Sequence, residues 1–168
     1  MSLFEPIFTA LNRAQVRYVV VGGVAMVLHG HARLTVDIDL VVDLDDEPAA
    51  RAIDALIAMG LRPRAPVNPR DFADRSIREA WVRDRAMQVF SLSDPANPMR
   101  AIDLFVTYPI PFEALWTRSQ VFDIQGAPVH VASIEDLIHL KRLAGRPQDE
   151  ADVRELEAIL ALKRGSPG

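Results

Sequence analysis

Two short stretches restrict this chain more than anything else in it. The apolar run Val19-Val20-Val21 ends in Gly22-Gly23, and Val36-Asp37-Ile38-Asp39-Leu40-Val41-Val42 follows soon after. Side chains alternate faces along a strand, so Asp37 and Asp39 point one way while Ile38 and Leu40 point the other. At about 3.3 Å of rise per residue, the two aspartate Cα atoms lie roughly 6.5–7 Å apart. Carboxylates converging from that spacing can clamp a divalent cation or a close pair of them. A sheet core has no use for two acids on one face. Like charges repel there, and an unpaired buried carboxylate costs several kcal/mol. The purely structural alternative is neutralisation by an arginine such as Arg33 or Arg100.

A third acid lies inside another apolar strand pattern, Ala101-Ile102-Asp103-Leu104-Phe105-Val106. Ile102, Leu104 and Val106 share one face and Asp103 takes the other. If this strand neighbours the first, three carboxylates converge. Such hard oxygen ligands suit Mg²⁺ or Mn²⁺, which also accept phosphate oxygens and water. Two such ions about 3.5–4 Å apart stabilise both the attacking and the leaving oxygen of a phosphoryl displacement. The glycine pair supplies a second part. A strand, Gly22-Gly23 and then a helix start aim backbone N–H groups at one point, and without a Cβ a phosphate can come close. The third glycine of the dinucleotide fingerprint is missing, as is the Gly-Lys-Ser/Thr of a P-loop.

The remaining pattern predicts helices over about 4–14, 24–29, 47–59, 111–117, 133–143 and 149–163. Strands are predicted over about 17–21, 36–42, 86–92 and 100–107, with a hairpin of 121–124 and 128–131 around Gln125-Gly126-Ala127. Gly60 reads as a helix C-cap, 62–75 as loop, and Ser133-Ile134-Glu135-Asp136 as a variant capping box. The expected architecture is α/β: a small mixed, twisted sheet flanked by helices, with the C-terminal helices closing a cleft. With 168 residues and 49% hydrophobic content, one domain over 1–164 is expected, with 165–168 frayed.

Cysteine is absent, which excludes disulfides and thiolate metal sites. No signal-peptide pattern or bilayer-length apolar run is seen, so a cytoplasmic, non-membrane protein is expected. The net charge of −4 and pI near 5.5 argue against a general polynucleotide binder and mildly favour a cationic small molecule as partner. Arg62, Arg64, Arg70, Arg75, Arg78, Arg83 and Arg85 form the one basic cluster, read mainly as solvated surface and otherwise as a phosphate-facing groove. His29 and His31 flank Gly30 without the partners of a zinc site. Asp149 and Asp152 read as acids favoured by a helix N-terminus.

Gly-Gly at a strand-to-helix turn, Arg33-x-Thr35-x-Asp37-x-Asp39, and then the isolated strand acid Asp103 resemble the DNA polymerase β-type nucleotidyltransferases. Lys141 in Leu137-Ile138-His139-Leu140-Lys141-Arg142, followed by Arg146, Asp149 and Asp152, narrows this to the small bacterial proteins related to AbiEii toxins. The resemblance spans about 17–154. It implies that Gly22 and Gly23 cradle a nucleoside triphosphate and that Asp37, Asp39 and Asp103 hold catalytic Mg²⁺ or Mn²⁺. Asp103 would also help deprotonate an acceptor hydroxyl. Lys141 would neutralise a phosphate, and Arg33 and Thr35 would contact phosphate or brace the loop. The acceptor it implies is RNA, above all a tRNA end, a small hydroxylated molecule such as an aminoglycoside, or a protein side chain. An antitoxin is the implied protein partner, and the alternative is a catalytically silent nucleotide-binding or interaction module. Many superfamily members have Gly-Ser where this chain has Gly22-Gly23, which removes one hydroxyl from the cradle.

Overall fold

The computed structural model describes residues 3–165. In chain order the elements are α1 (Glu5–Arg13), β1 (Tyr18–Val21), α2 (Gly22–Leu28), β2 (Asp37–Val42), α3 (Asp46–Ala58), β3 (Arg62–Pro63), a 3₁₀ turn (Pro69–Ala73) and α4 (Arg75–Arg85). β4 (Val89–Asp94), β5 (Asn97–Phe105), α5 (Phe112–Arg118), β6 (Gln120–Ile124), β7 (Ala127–Val131), α6 (Ile134–Ala144) and α7 (Pro147–Gly165) follow. The strands form one mixed sheet in the order β3-β4-β5-β2-β1-β7-β6. The β2–β5 and β1–β7 pairs are parallel and the rest antiparallel. This is the α/β architecture that the pattern predicts.

The alternation along β2 and β5 explains which face the core takes. Ile38 and Leu40 lie beside Ile102 and Leu104 in register, and all four are fully buried. Phe90 and Leu92 of β4 extend that face, where Trp81 of α4 stacks on Phe90 at 5.3 Å. β1 is buried along its whole length, as a central strand covered on both faces must be. The β6–β7 hairpin turns on Gln125 and Gly126, both at positive φ, which matches the twist of the strands it joins.

Several boundaries differ from expectation. Gly22 and Gly23 belong to the first turn of α2 rather than preceding it. β5 starts earlier, at Asn97, and α7 starts at Pro147, where proline suits an opening turn. The capping box at Ser133 is half made. Ser133 accepts from the Asp136 N–H at 3.1 Å, while the Asp136 carboxylate turns away to Arg118. Of the residues expected to fray, Gly165 ends α7, and 166–168 lie outside the described residues. Among the described residues no helix is long and apolar enough to cross a membrane.

The clearest departure is α4, which the arginine-rich composition hides. Asp74 caps it by accepting from the Ile77 N–H at 3.1 Å. Its inward face carries Trp81 and, against the usual polarity, Arg78. Only 4% exposed, Arg78 donates to the carbonyls of Phe72 at 2.6 Å and Leu44 at 2.7 Å. Four other arginines of this region are engaged within the protein. Arg70 pairs with Asp54, Arg75 with Glu79, and Arg83 with Asp84, while Arg62 donates to the carbonyls of Ile57 and Leu61. Because Arg78 joins α4 to two loops through buried acceptors, Arg78→Ala is expected to lower the unfolding free energy by about 3 kcal/mol, measured by urea denaturation.

Candidate active site

The sheet register brings the acids together. Asp39 lies directly beside Asp103 in the parallel β2–β5 pair, with Asp37 one pleat away on the same face. On the far side of β5, Ser91 of β4 is the cross-strand neighbour of Asp103 and donates its hydroxyl to Asp103 Oδ1 at 2.5 Å. Nothing in the sequence marks Ser91, since only the register shows that it faces the acids. Among the described residues no arginine pairs with Asp39 or Asp103: Arg33 is committed to Asp152 and Arg100 to Asp94. Burial, and then repulsion from Asp103 and Asp37, pushes the Asp39 carboxyl up to about 6, against an opposing hydrogen bond from the Gly23 N–H.

The glycines fit around that carboxylate. Gly22 has φ +66°, and a Cβ on it would lie 2.2 Å from Asp39 Oδ2. Both the backbone conformation and the closeness of Asp39 therefore require glycine here. Gly23 is restricted from its other side, where a Cβ would lie 2.7 Å from Thr35 Oγ1 and 3.1 Å from Thr35 Cβ. The Thr35 hydroxyl thus occupies the space beside the turn that a side chain at position 23 would fill. Among the described residues it makes one long bond, to the Asp37 carbonyl at 3.4 Å.

A cleft of about 630 Å³ opens over this turn. Its polar part is formed by Gly22, Gly23, Arg33, Asp39, Lys141 and Arg146. Phe105 and Tyr108, with Leu137 and Leu140 of α6, line its apolar part. Lys141 donates to Asp149 at 3.1 Å and to Asp152 at 2.7 Å. Asp149 is 1% exposed, and the Arg146 guanidinium holds its carboxyl down to about 2. The Asp-x-x-Asp acids therefore serve as partners for cleft cations rather than as plain helix-start acids. His29 stands apart from the site. It is buried, with Nε2 donating to the Ala132 carbonyl at 2.8 Å and Nδ1 accepting from Lys163 at 3.2 Å. Desolvation lowers its pKa and keeps the ring neutral.

The donor set suits a hard divalent cation in its chemistry. Three carboxylates share one face, and repulsion from Asp103 and Asp37 adds to the burial that raises the Asp39 pKa; a bound cation would offset that repulsion. As they stand, no three acidic or histidine side chains among the described residues are gathered tightly enough to enclose an ion. The Ser91 bond draws Asp103 toward β4.

Solved structures share the fold. The lincosamide antibiotic adenylyltransferase LnuA, lincomycin-bound, aligns with TM-score 0.62 and 15% identity over 94% of this chain and 96% of its own. ANT(2″)-Ia in complex with adenylyl-2″-tobramycin aligns with TM-score 0.56 and 16% identity over 97% and 95%. A putative nucleotidyltransferase from Thermotoga maritima aligns with TM-score 0.58 and 15% identity over 92% and 89%. No curated protein matches the sequence. The chain belongs to the family described as "Nucleotidyl transferase AbiEii toxin, Type IV TA system", whose model matches residues 9–156.

Two outcomes follow from this geometry. Gly23→Ser alone is expected to destabilise the protein by about 1–3 kcal/mol through overpacking against Thr35, and adding Thr35→Gly should recover most of the loss; paired melting curves check this. For Asp39, the unfolded chain ionises near 3.8 and the native carboxyl near 6. Between these values the native state binds more protons, so the stability of metal-free protein falls as pH rises through that window. Asp39→Asn should remove that slope and stabilise metal-free protein at neutral pH by up to about 3 kcal/mol, read from denaturation at several pH values.

Proposed function

We propose that this protein is a metal-dependent nucleotidyltransferase that moves a nucleoside monophosphate from a nucleoside triphosphate to an acceptor hydroxyl. The observation that carries this is the register of Asp39 with Asp103, set against a glycine turn whose atoms touch Asp39. In the reaction the acceptor oxygen attacks the α-phosphorus. The bond from that phosphorus to the bridging oxygen breaks, and pyrophosphate leaves with the electron pair. The acceptor proton passes to the Asp103 carboxylate, which Ser91 orients. Gly22 and Gly23 receive the triphosphate, Thr35 offers its hydroxyl beside them, and Lys141 and Arg33 offset the charge of the leaving group. Asp37, Asp39 and Asp103 would hold Mg²⁺ or Mn²⁺, which supplies charge stabilisation at the attacking and leaving oxygens. A titrating Asp39 makes metal-dependent binding strengthen as pH rises through about 6.

The acceptor class in this reading is RNA, such as a tRNA end, or a small hydroxylated molecule. The latter is supported by the lincomycin and adenylyl-tobramycin bound to two proteins of the same fold. The family description supports a toxin role with an antitoxin as protein partner.

The test is thermal unfolding with ATP, GTP, CTP and UTP, each with and without Mg²⁺. A ligand that binds only the native state stabilises it by about 2.7 kcal/mol at a hundredfold excess over Kd. A metal-dependent shift with at least one nucleotide, lost in Asp37→Ala/Asp39→Ala, is expected. Transfer of label from the α-phosphate to tRNA or to an aminoglycoside then separates the acceptors. No shift with any nucleotide, and no transfer, would sink the enzyme reading.

A further inference from the structure

Asp149 and Asp152 are the sequence feature that the proposed chemistry leaves unused, and Asp152 has the more telling surroundings. Its side chain is 14% exposed. Two cations from different segments of the chain meet on it. Arg33 Nη1 approaches Oδ2 at 3.2 Å from the segment between α2 and β2, and Lys141 Nζ approaches the same oxygen at 2.7 Å from α6. His31 Nε2 lies 3.8 Å from Oδ1. Residues 31–36 have no secondary structure of their own, and this ion pair ties Arg33 to α7.

The carboxylate leaves donors to spare. A guanidinium has five N–H groups, and among the described residues the bonds of Arg33 go through Nη1, to Asp152 and to Met26 Sδ. Arg33 Nε lies 3.9 Å from where a Cβ on Gly23 would be, so the unused edge of the guanidinium lies close to the glycine turn. Lys141 gives two of its three protons to Asp149 and Asp152 and keeps one. Both residues line the cleft. Two cations brought together in a half-buried wall repel each other unless an anion lies between them.

We propose that Asp152 is a positioning residue that joins Arg33 and Lys141 into one clamp for the pyrophosphate half of the donor nucleotide. The proposal rests on the nucleotidyltransferase reading of the cleft. Asp152 touches neither substrate nor the reacting atoms. It fixes the spacing of two donors that do, so that their conformational entropy is lost on folding rather than on binding.

Inorganic tripolyphosphate is the direct probe, since it has no base, needs no acceptor and reports binding without turnover. Wild type should bind it, and Asp152→Asn should weaken tripolyphosphate binding and raise the KM for nucleotide by about tenfold or more, with a smaller fall in kcat. Asp152→Glu should recover most of the loss. Arg33→Gln and Lys141→Gln should be strongly non-additive in the native background and additive beside Asp152→Asn. If Asp152→Asn fails to fold, the Arg33 and Lys141 cycle in the native background carries the test, and additivity there overturns the clamp. Nucleotide binding by wild type with an unchanged KM in Asp152→Asn overturns the clamp alone. Failure of wild type to bind either tripolyphosphate or any nucleotide overturns the clamp together with the reading on which it rests.

Discussion

Everything near the cleft is arranged around one carboxylate that the fold makes uncomfortable. Asp39 sits beside Asp103 and Asp37, partly buried, and among the described residues no arginine pairs with it. A protein selected only for stability would place valine there. What keeps the arrangement viable is close steric and hydrogen-bonding support. Gly22 gives up its side chain so that Asp39 Oδ2 has room, and the Gly23 N–H donates to the carboxylate. The surrounding apolar strands then bear the cost, since Ile38, Leu40, Ile102 and Leu104 bury fully on the opposite face of the same two strands. Core and site are two sides of one alternation.

The second organising device is charge compensation across helices. α6 and α7 pack together around a short turn at Gly145, which has φ +64°. Asp149 and Asp152 reach from α7 to Lys141, Arg146 and Arg33. Buried carboxylates of this kind are expensive unless every oxygen is engaged, and here the bonds to three cations meet that cost. The helices thus fix the cationic wall of the cleft as firmly as the sheet fixes the anionic floor.

How much of this could be read from the chain depended on how local each cause is. The shared face of the acids and the core face of β2 and β5 follow from a period of two over a few residues, and those placements carried through. The helix α4 was missed because its buried face includes Arg78, whose charge is carried by carbonyls of residues 72 and 44. A polarity pattern cannot show that, although Asp74 was a usable capping sign. Ser91 was invisible for a different reason. A serine in a strand says nothing until the β4–β5 register places it against Asp103. Asp152 looked like an ordinary helix-start acid because its partners lie over a hundred residues away, at Arg33, and on the preceding helix.

The β2–β5 pairing has a consequence for when the site comes into being. Hairpins such as β4–β5 and β6–β7 close from short loops, whereas parallel pairing of β2 with β5 joins residues 37–40 to residues 101–104. Contacts of that separation form slowly, because the loop entropy is lost before the contact repays it. A chain leaving the ribosome therefore carries Asp37 and Asp39 long before it has Asp103, and the wall that holds Lys141 waits for α7. Synthesis and folding order keep Asp103 from the other two acids until β5 is in place, and leave the cationic wall to the last helix.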